Sequence, residues 1–205
     1  MTRILACILL LPAVALEAAG GSPARFQRID SHVHVMPPPK AFLQLLEKMN
    51  VKLVNVTLID PEEPGFTTPE PQTTMAAALA KSSGGWIRWD SALDPAGFES
   101  ADYAARTNRF LGSTFARGAV GVKIYKSIGM EVKDSKGKYI LPDHAAFSPV
   151  YEYIAAQNRT LVAHLAEPRA AWRALDPEDP HYSYYKNHPA WHMFLHPERP
   201  SYETI

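Results

Sequence analysis

Strand-like and helix-like segments alternate strictly along this chain from residue 26 onward, and that order limits its fold more than any other feature. Segments 26–35, 51–59, 86–93, 119–125 and 160–164 are rich in β-branched and aromatic residues and read as strands. Helical spacing lies between them. Phe42, Leu45, Leu46 and Met49 fall at i, i+3, i+4 and i+7 on one face. Residues 69–83 carry Met75, Leu79 and several alanines and stop at Gly84-Gly85, while residues 98–117 stop at Gly118. Ser148-Pro149 reads as an N-cap with proline in the first turn, followed by an apolar face of Val150, Tyr151 and Ile154. Glu167-Pro168 opens a further helical stretch through Trp172 and Leu175. Repeated strand–helix–strand units give a parallel α/β sheet, either an open doubly wound one or a (β/α)8 barrel.

The 205 residues, 46% hydrophobic and 20% charged, can bury a core, which excludes wholesale disorder. Basic and acidic side chains both number 21, so the formal charge is zero. Nothing electrostatic favours nucleic acid or an anionic membrane as partner, and a small-molecule substrate is the expected one. A single cysteine, Cys7, excludes an internal disulfide and a cysteine-based zinc site. Near the start, Arg3 precedes an apolar run over residues 4–16, and Ala18, Ala19 and Gly20 follow it. This layout predicts a signal peptide over residues 1–20, with Ala13-Val14-Ala15 the best cleavage triplet, and a mature domain over residues 21–205. The mature form is expected to be exported, periplasmic or secreted, and free of the membrane after cleavage, since the run is too short to span a bilayer.

The first strand carries the chemistry. In Ile29-Asp30-Ser31-His32-Val33-His34-Val35, period-2 alternation puts Asp30, His32 and His34 on one face. Two imidazoles at i and i+2 can point at one metal ion. Pro37-Pro38-Pro39 follows, which sets the pair at the C-terminal end of the strand, where α/β proteins build their sites. Lys123 lies in the fourth strand with Val122 and Ile124 on the opposite face, a costly place for an ammonium without a partner. Its alternative is to reach past the strand end into solvent. Lys126 sits in the loop beyond and is the weaker candidate. His164 closes the apolar strand Leu161-Val162-Ala163. His188, His192 and His196 fall at i, i+4 and i+8, but Pro189 and Pro197 break any helix there. With His181 they read as surface residues of a long excursion after strand five, and His144 is read the same way.

Ile29-Asp30-Ser31-His32-Val33-His34 at the end of a first strand resembles the amidohydrolase superfamily, metal-dependent (β/α)8 barrels. More narrowly it resembles the amidohydrolase-related group that includes aminocarboxymuconate-semialdehyde decarboxylase. Residues 118–126 (GAVGVKIYK), 161–164 (LVAH) and 196–203 (HPERPSYE) fit that group as well. The resemblance implies that His32 and His34 are first-strand metal ligands and that His164 is another. It implies for Lys123 a catalytic place, carboxylated and bridging two metals in dinuclear members.

A closed barrel takes about 250 residues. The family's strand-six histidine and strand-eight aspartate have no counterpart in these 205 residues. The expectation is therefore an incomplete (β/α)8 barrel of about five of the eight units, C-terminally truncated, whose open strand-five edge could pair with a second copy as a homo-oligomer. The expected function is metal-dependent hydrolysis of an amide or ester-type bond. The divalent ion would be zinc first, given imidazole donors and no thiols. A non-oxidative decarboxylase and an inactive remnant that binds metal weakly are the alternatives. As it stands, the chain is expected to hold zinc poorly and to turn over no ester, amide or carboxylated substrate at a useful rate.

Overall fold

The computed structural model describes residues 26–35, 40–60 and 65–205. The segment expected to be a signal peptide, residues 1–20, and the expected proline stop at 37–39 lie outside the described residues. Five strands, β1 (Arg28–Val33), β2 (Val51–Val56), β3 (Ile87–Ala92), β4 (Gly121–Ile124) and β5 (Thr160–Ala163), form one sheet in the order β1-β2-β3-β4-β5. Every pairing is parallel. Helices α1 (Lys40–Met49), α2 (Pro69–Ser82) and α3 (Tyr103–Ala116) make the first three crossovers. The fourth holds a kinked turn, α4 (Ser127–Met130), a hairpin-like loop and α5 (Ser148–Ala156). A doubly wound sheet reverses its winding direction at a switch point. Here each crossover advances by one strand in the same direction, which is the winding of a (β/α)8 barrel. The sheet is an open arc of five of its eight strands.

Backbone conformation sets the joints. Gly118 closes α3 at φ 99°, a left-handed value that a side chain rarely tolerates, and returns the chain to β4. Between sheet and helices lies the main core, with Trp89, Leu111, Phe115, Val122, Phe147, Val150 and Ile154 all buried. Leu46, Leu53, Leu79 and Ile87 form a second cluster under α1 and α2. All four residues of β4 are buried, whereas β1 and β5, each with one strand neighbour, are largely open. Phe26 and Ile29 are 69% and 65% exposed beside the β1 edge, so both edges of the arc are raw.

Ser148 is the first residue of α5 and not its N-cap, and three boundaries differ markedly from the expected ones. Residues 57–59 leave the β2 ladder because side chains take over their backbone bonds. Gln72 accepts from the Leu58 N–H at 3.3 Å and donates to the Leu58 carbonyl at 2.6 Å. Residues 98–102 belong to a turned lead-in, and α3 starts only at Tyr103. The stretch after Glu167-Pro168 is a single 3-10 turn, Arg169–Trp172. Arg173 is extended and Leu175 is exposed, so nothing apolar rewards continuing that helix.

Candidate functional site

Alternation places the first-strand histidines. Val33 and Val35 pack into the cluster beneath α1, so His32 and His34 face the other side of the sheet, the inner face that the helices leave uncovered. Their rings are edge-to-face with centroids 5.5 Å apart. The His34 Nδ1 lies 2.7 Å from the Val56 carbonyl. A carbonyl can only accept, so Nδ1 carries the proton and Nε2 keeps a free lone pair.

Val122 and Ile124 belong to the helix-side core, which turns Lys123 to the same inner face. Its side chain is 1% exposed, and its Nζ lies 3.3 Å from the His32 Nε2. The structure thus brings Lys123 and His32 together across strands that are not neighbours. Burial lowers the Lys123 pKa to about 8, with Asp90 opposing the shift. Burial lowers that of His32 too, and the Lys123 and His34 charges act in the same direction.

His164 follows β5 and donates its backbone N–H to the Ile124 carbonyl at 3.0 Å. Its ring meets Tyr125 edge-on at 5.7 Å. Burial, then the cationic Lys126 and Lys123, hold its pKa down at about 4, so the imidazole is neutral at pH 7. His32 adds to this shift in the same direction. Among the described residues, however, no three His, Cys, Asp or Glu side chains gather closely enough to hold a metal ion.

Asp30 does not join the histidines as strict alternation required. The β1–β2 register shifts between Asp30 and Val33, and the Asp30 carboxylate accepts the His32 backbone N–H at 3.1 Å. The bulge interrupts the period of two, and the side chain is spent on the local turn.

Two features escaped the sequence reading. Asp90, in β3, is 2% exposed, and burial raises its pKa to about 6 against the pull of Lys123. Its carboxylate occupies the space that a side chain at Gly121 would fill. A lone carboxylate inside the apolar segment 86–93 was the available signal. The second is a latch beyond the strand ends. Lys126, read as a loop residue, is buried and ion-paired with Glu167, and its ammonium stands 3.6 Å from the Trp191 ring centroid. The Tyr185 hydroxyl donates to the other Glu167 oxygen at 3.1 Å. Helix α6 (Tyr182–Asn187) carries that tyrosine, so the latch pins the excursion after β5 to the end of β4.

His192 is a further correction. It is 2% exposed rather than a surface residue, because it stacks on Tyr185 and its Nε2 donates to the Arg173 carbonyl at 2.8 Å. His181 contacts Asp179, His188 packs on Tyr184 and His196 lies near Glu198. His144 accepts the Ala146 N–H at the start of a 3-10 turn.

No family model matches the chain, and no curated protein matches it. A probable 2-pyrone-4,6-dicarboxylic acid hydrolase from Acinetobacter baumannii, solved with citric acid bound, is similar at 14% identity and a TM-score of 0.45. The match covers 70% of this chain and 51% of that one. A solved protein described as an amidohydrolase II is similar at 15% identity and a TM-score of 0.47, over 79% of this chain and 64% of that one. The chain thus spans about half the length of the first and under two thirds of the second. Likeness at this level adds nothing to what strand order and side chains already establish.

Proposed function

We propose that the inner-face rim is the metal-holding part of a hydrolase site of the amidohydrolase type. The observation that carries this reading is the juxtaposition of His32, His34 and Lys123 on one face at the strand ends. The donor chemistry suits a divalent ion, zinc first. His34 keeps its Nε2 lone pair free, His164 is neutral, and His32 offers an Nε2 now occupied by the lysine. His32 and His34 would hold the ion, with His164 and Lys123 as the further candidates. When bound, a divalent ion supplies Lewis acidity and lowers the pKa of water.

The remaining chemistry falls to the chain. The Val56 carbonyl fixes the His34 ring, as outer partners of metal-binding imidazoles do. Lys123, with a pKa near neutrality, can bind a substrate oxygen or exchange a proton beside His32. A cleft of about 520 Å³ is lined by His164, Glu167 and Tyr202, room for a small molecule beside one of the further candidates.

The test is zinc-dependent hydrolysis of 4-nitrophenyl acetate and an anilide, run beside CO2 release from a carboxylated aromatic. This reading expects slow ester or anilide cleavage that needs zinc and is lost in Lys123→Met, with no CO2. CO2 release without hydrolysis would identify a decarboxylase built on the same side chains. Zinc-independent cleavage, or none at all with zinc bound, would contradict the hydrolase.

A further inference from the structure

A second cleft, of about 490 Å³, opens between the C-terminal ends of α2 and α3. It lies at the N-terminal ends of β3 and β4, the opposite end of the sheet from His32, His34 and Lys123. Small-molecule sites commonly enclose about 300–1,000 Å³. Residues with little or no side chain make the opening: Ala77 and Ala80 of α2, and Gly85 and Gly118 in the joints before β3 and β4. Ile87 and Trp89, both 1% exposed, form its floor.

The charge at this cleft has one sign. Lys81 and Arg117 line it, and no Asp or Glu among the described residues does. Neither cation has a carboxylate partner among those residues. Arg88 lines the cleft too, but alternation with Ile87 and Trp89 turns its side chain to the other face, so it adds positive field and no contact. Basic side chains at helix C-termini answer the helix dipole in any case. A buried donor without an acceptor is not explained that way. The Trp89 Nε1 is buried and has no hydrogen-bond partner among the described residues. An indole N–H can only donate, and buried donors are nearly always paired. This one lies at the cleft wall, since a Cβ on Gly118 would come 3.9 Å from it. The Arg117 guanidinium lies over the same ring, 5.8 Å from its centroid, and donates to the Thr73 hydroxyl at 3.3 Å. Its charge is thereby held beside the indole.

We propose that this cleft binds a small organic anion with an apolar body. Lys81, Arg117 and the Trp89 indole N–H take its anionic oxygens, and its body lies on Ala77, Ala80 and Ile87. A neutral ligand would leave both cations unpaired, and a bare inorganic anion would leave the apolar floor unused. The ligand binds at the far end of the strands from the metal-holding rim, so it is not the substrate of that site.

The probe is 2-naphthalenesulfonate, a permanent anion, titrated into the full chain carrying isotope-labelled tryptophan. Binding is followed by the indole N–H resonances in NMR, with Trp89→Phe assigning that of Trp89. The neutral 2-naphthalenesulfonamide and inorganic sulfate are the comparisons. A saturable shift of the Trp89 signal is expected, with affinity at least tenfold above either comparison and falling as salt rises. Arg117→Ala should lose at least tenfold in affinity and Arg117→Lys less. Lys136→Ala, exposed in the loop after β4, should bind as the parent does. No saturable shift of the Trp89 signal up to millimolar probe, equal affinity for the sulfonamide, or full affinity in Arg117→Ala would each overturn the proposal. Sulfate binding as tightly as the sulfonate would mean a surface ion site only, and would overturn it too. The comparison of sulfonate with sulfonamide needs no variant, so it decides even where a substitution prevents folding.

Discussion

Replacing Lys126 by alanine should lower the melting temperature by roughly 10 °C, the largest single effect expected in this fold. Lys126 and Glu167 are both buried, their side chains 4% and 6% exposed. Removing one member of a buried pair strands the other charge and costs about 3–5 kcal/mol. In a domain of this size each kcal/mol moves the melting point by about 2–4 °C. The stranded Glu167 would keep only the Tyr185 hydroxyl, and Trp191 would lose the cation that covers it. A double replacement, Lys126→Met with Glu167→Leu, removes both charges together and should recover most of the loss, because well-packed apolar side chains often substitute for such pairs at little cost. Thermal denaturation followed by tryptophan fluorescence checks both. If Lys126→Ala melts within a degree or two of the parent, the latch does not hold the excursion in place.

Gly121→Ala should be the next most damaging change. A Cβ at this position would lie 2.8 Å from the Asp90 Oδ1 and 2.8 Å from the Thr160 carbonyl oxygen. Gly121 pairs with Asp90 on one side and with Thr160 on the other, in the middle of the sheet. Asp90 can shift its side chain, but Thr160 presents backbone, so the strand itself would have to move. Overpacking of this kind costs about 1–3 kcal/mol, and the upper end applies where backbone must yield. Adding Asp90→Ala should restore only part of the stability, which chemical denaturation would measure. Full restoration would mean that the carboxylate alone sets the crowding.

The strand positions were legible because each segment is rich in β-branched or aromatic residues, and every one of the five formed within a few residues of its expected bounds. The winding was not legible, since alternation of strands and helices is common to a doubly wound sheet and a barrel, and only the pairing β1-β2-β3-β4-β5 distinguishes them. His32, His34 and Lys123 stood out because polar side chains alternated with Val33, Val122 and Ile124. The latch could not stand out. Lys126 and Glu167 are separated by 41 positions, and nothing local marks either as buried. The bulge after Asp30 was hidden for the opposite reason: the local pattern looked perfectly regular, and the irregularity belongs to the pairing with β2. His192 was misread because a proline-rich stretch suggests exposed loop, while its burial comes from Tyr185 and Arg173, which approach from elsewhere in the excursion.

The central claim is that His32 and His34 are the primary metal donors. Zinc-edge X-ray absorption on the chain equilibrated with zinc tests it most directly, with His188→Ala as the control for exposed histidines. The account predicts scattering from at least two imidazoles at about 2.0–2.1 Å. That signal should survive in His188→Ala and vanish in His32→Ala/His34→Ala. An unchanged imidazole signal in the double variant would place the zinc elsewhere and contradict the account.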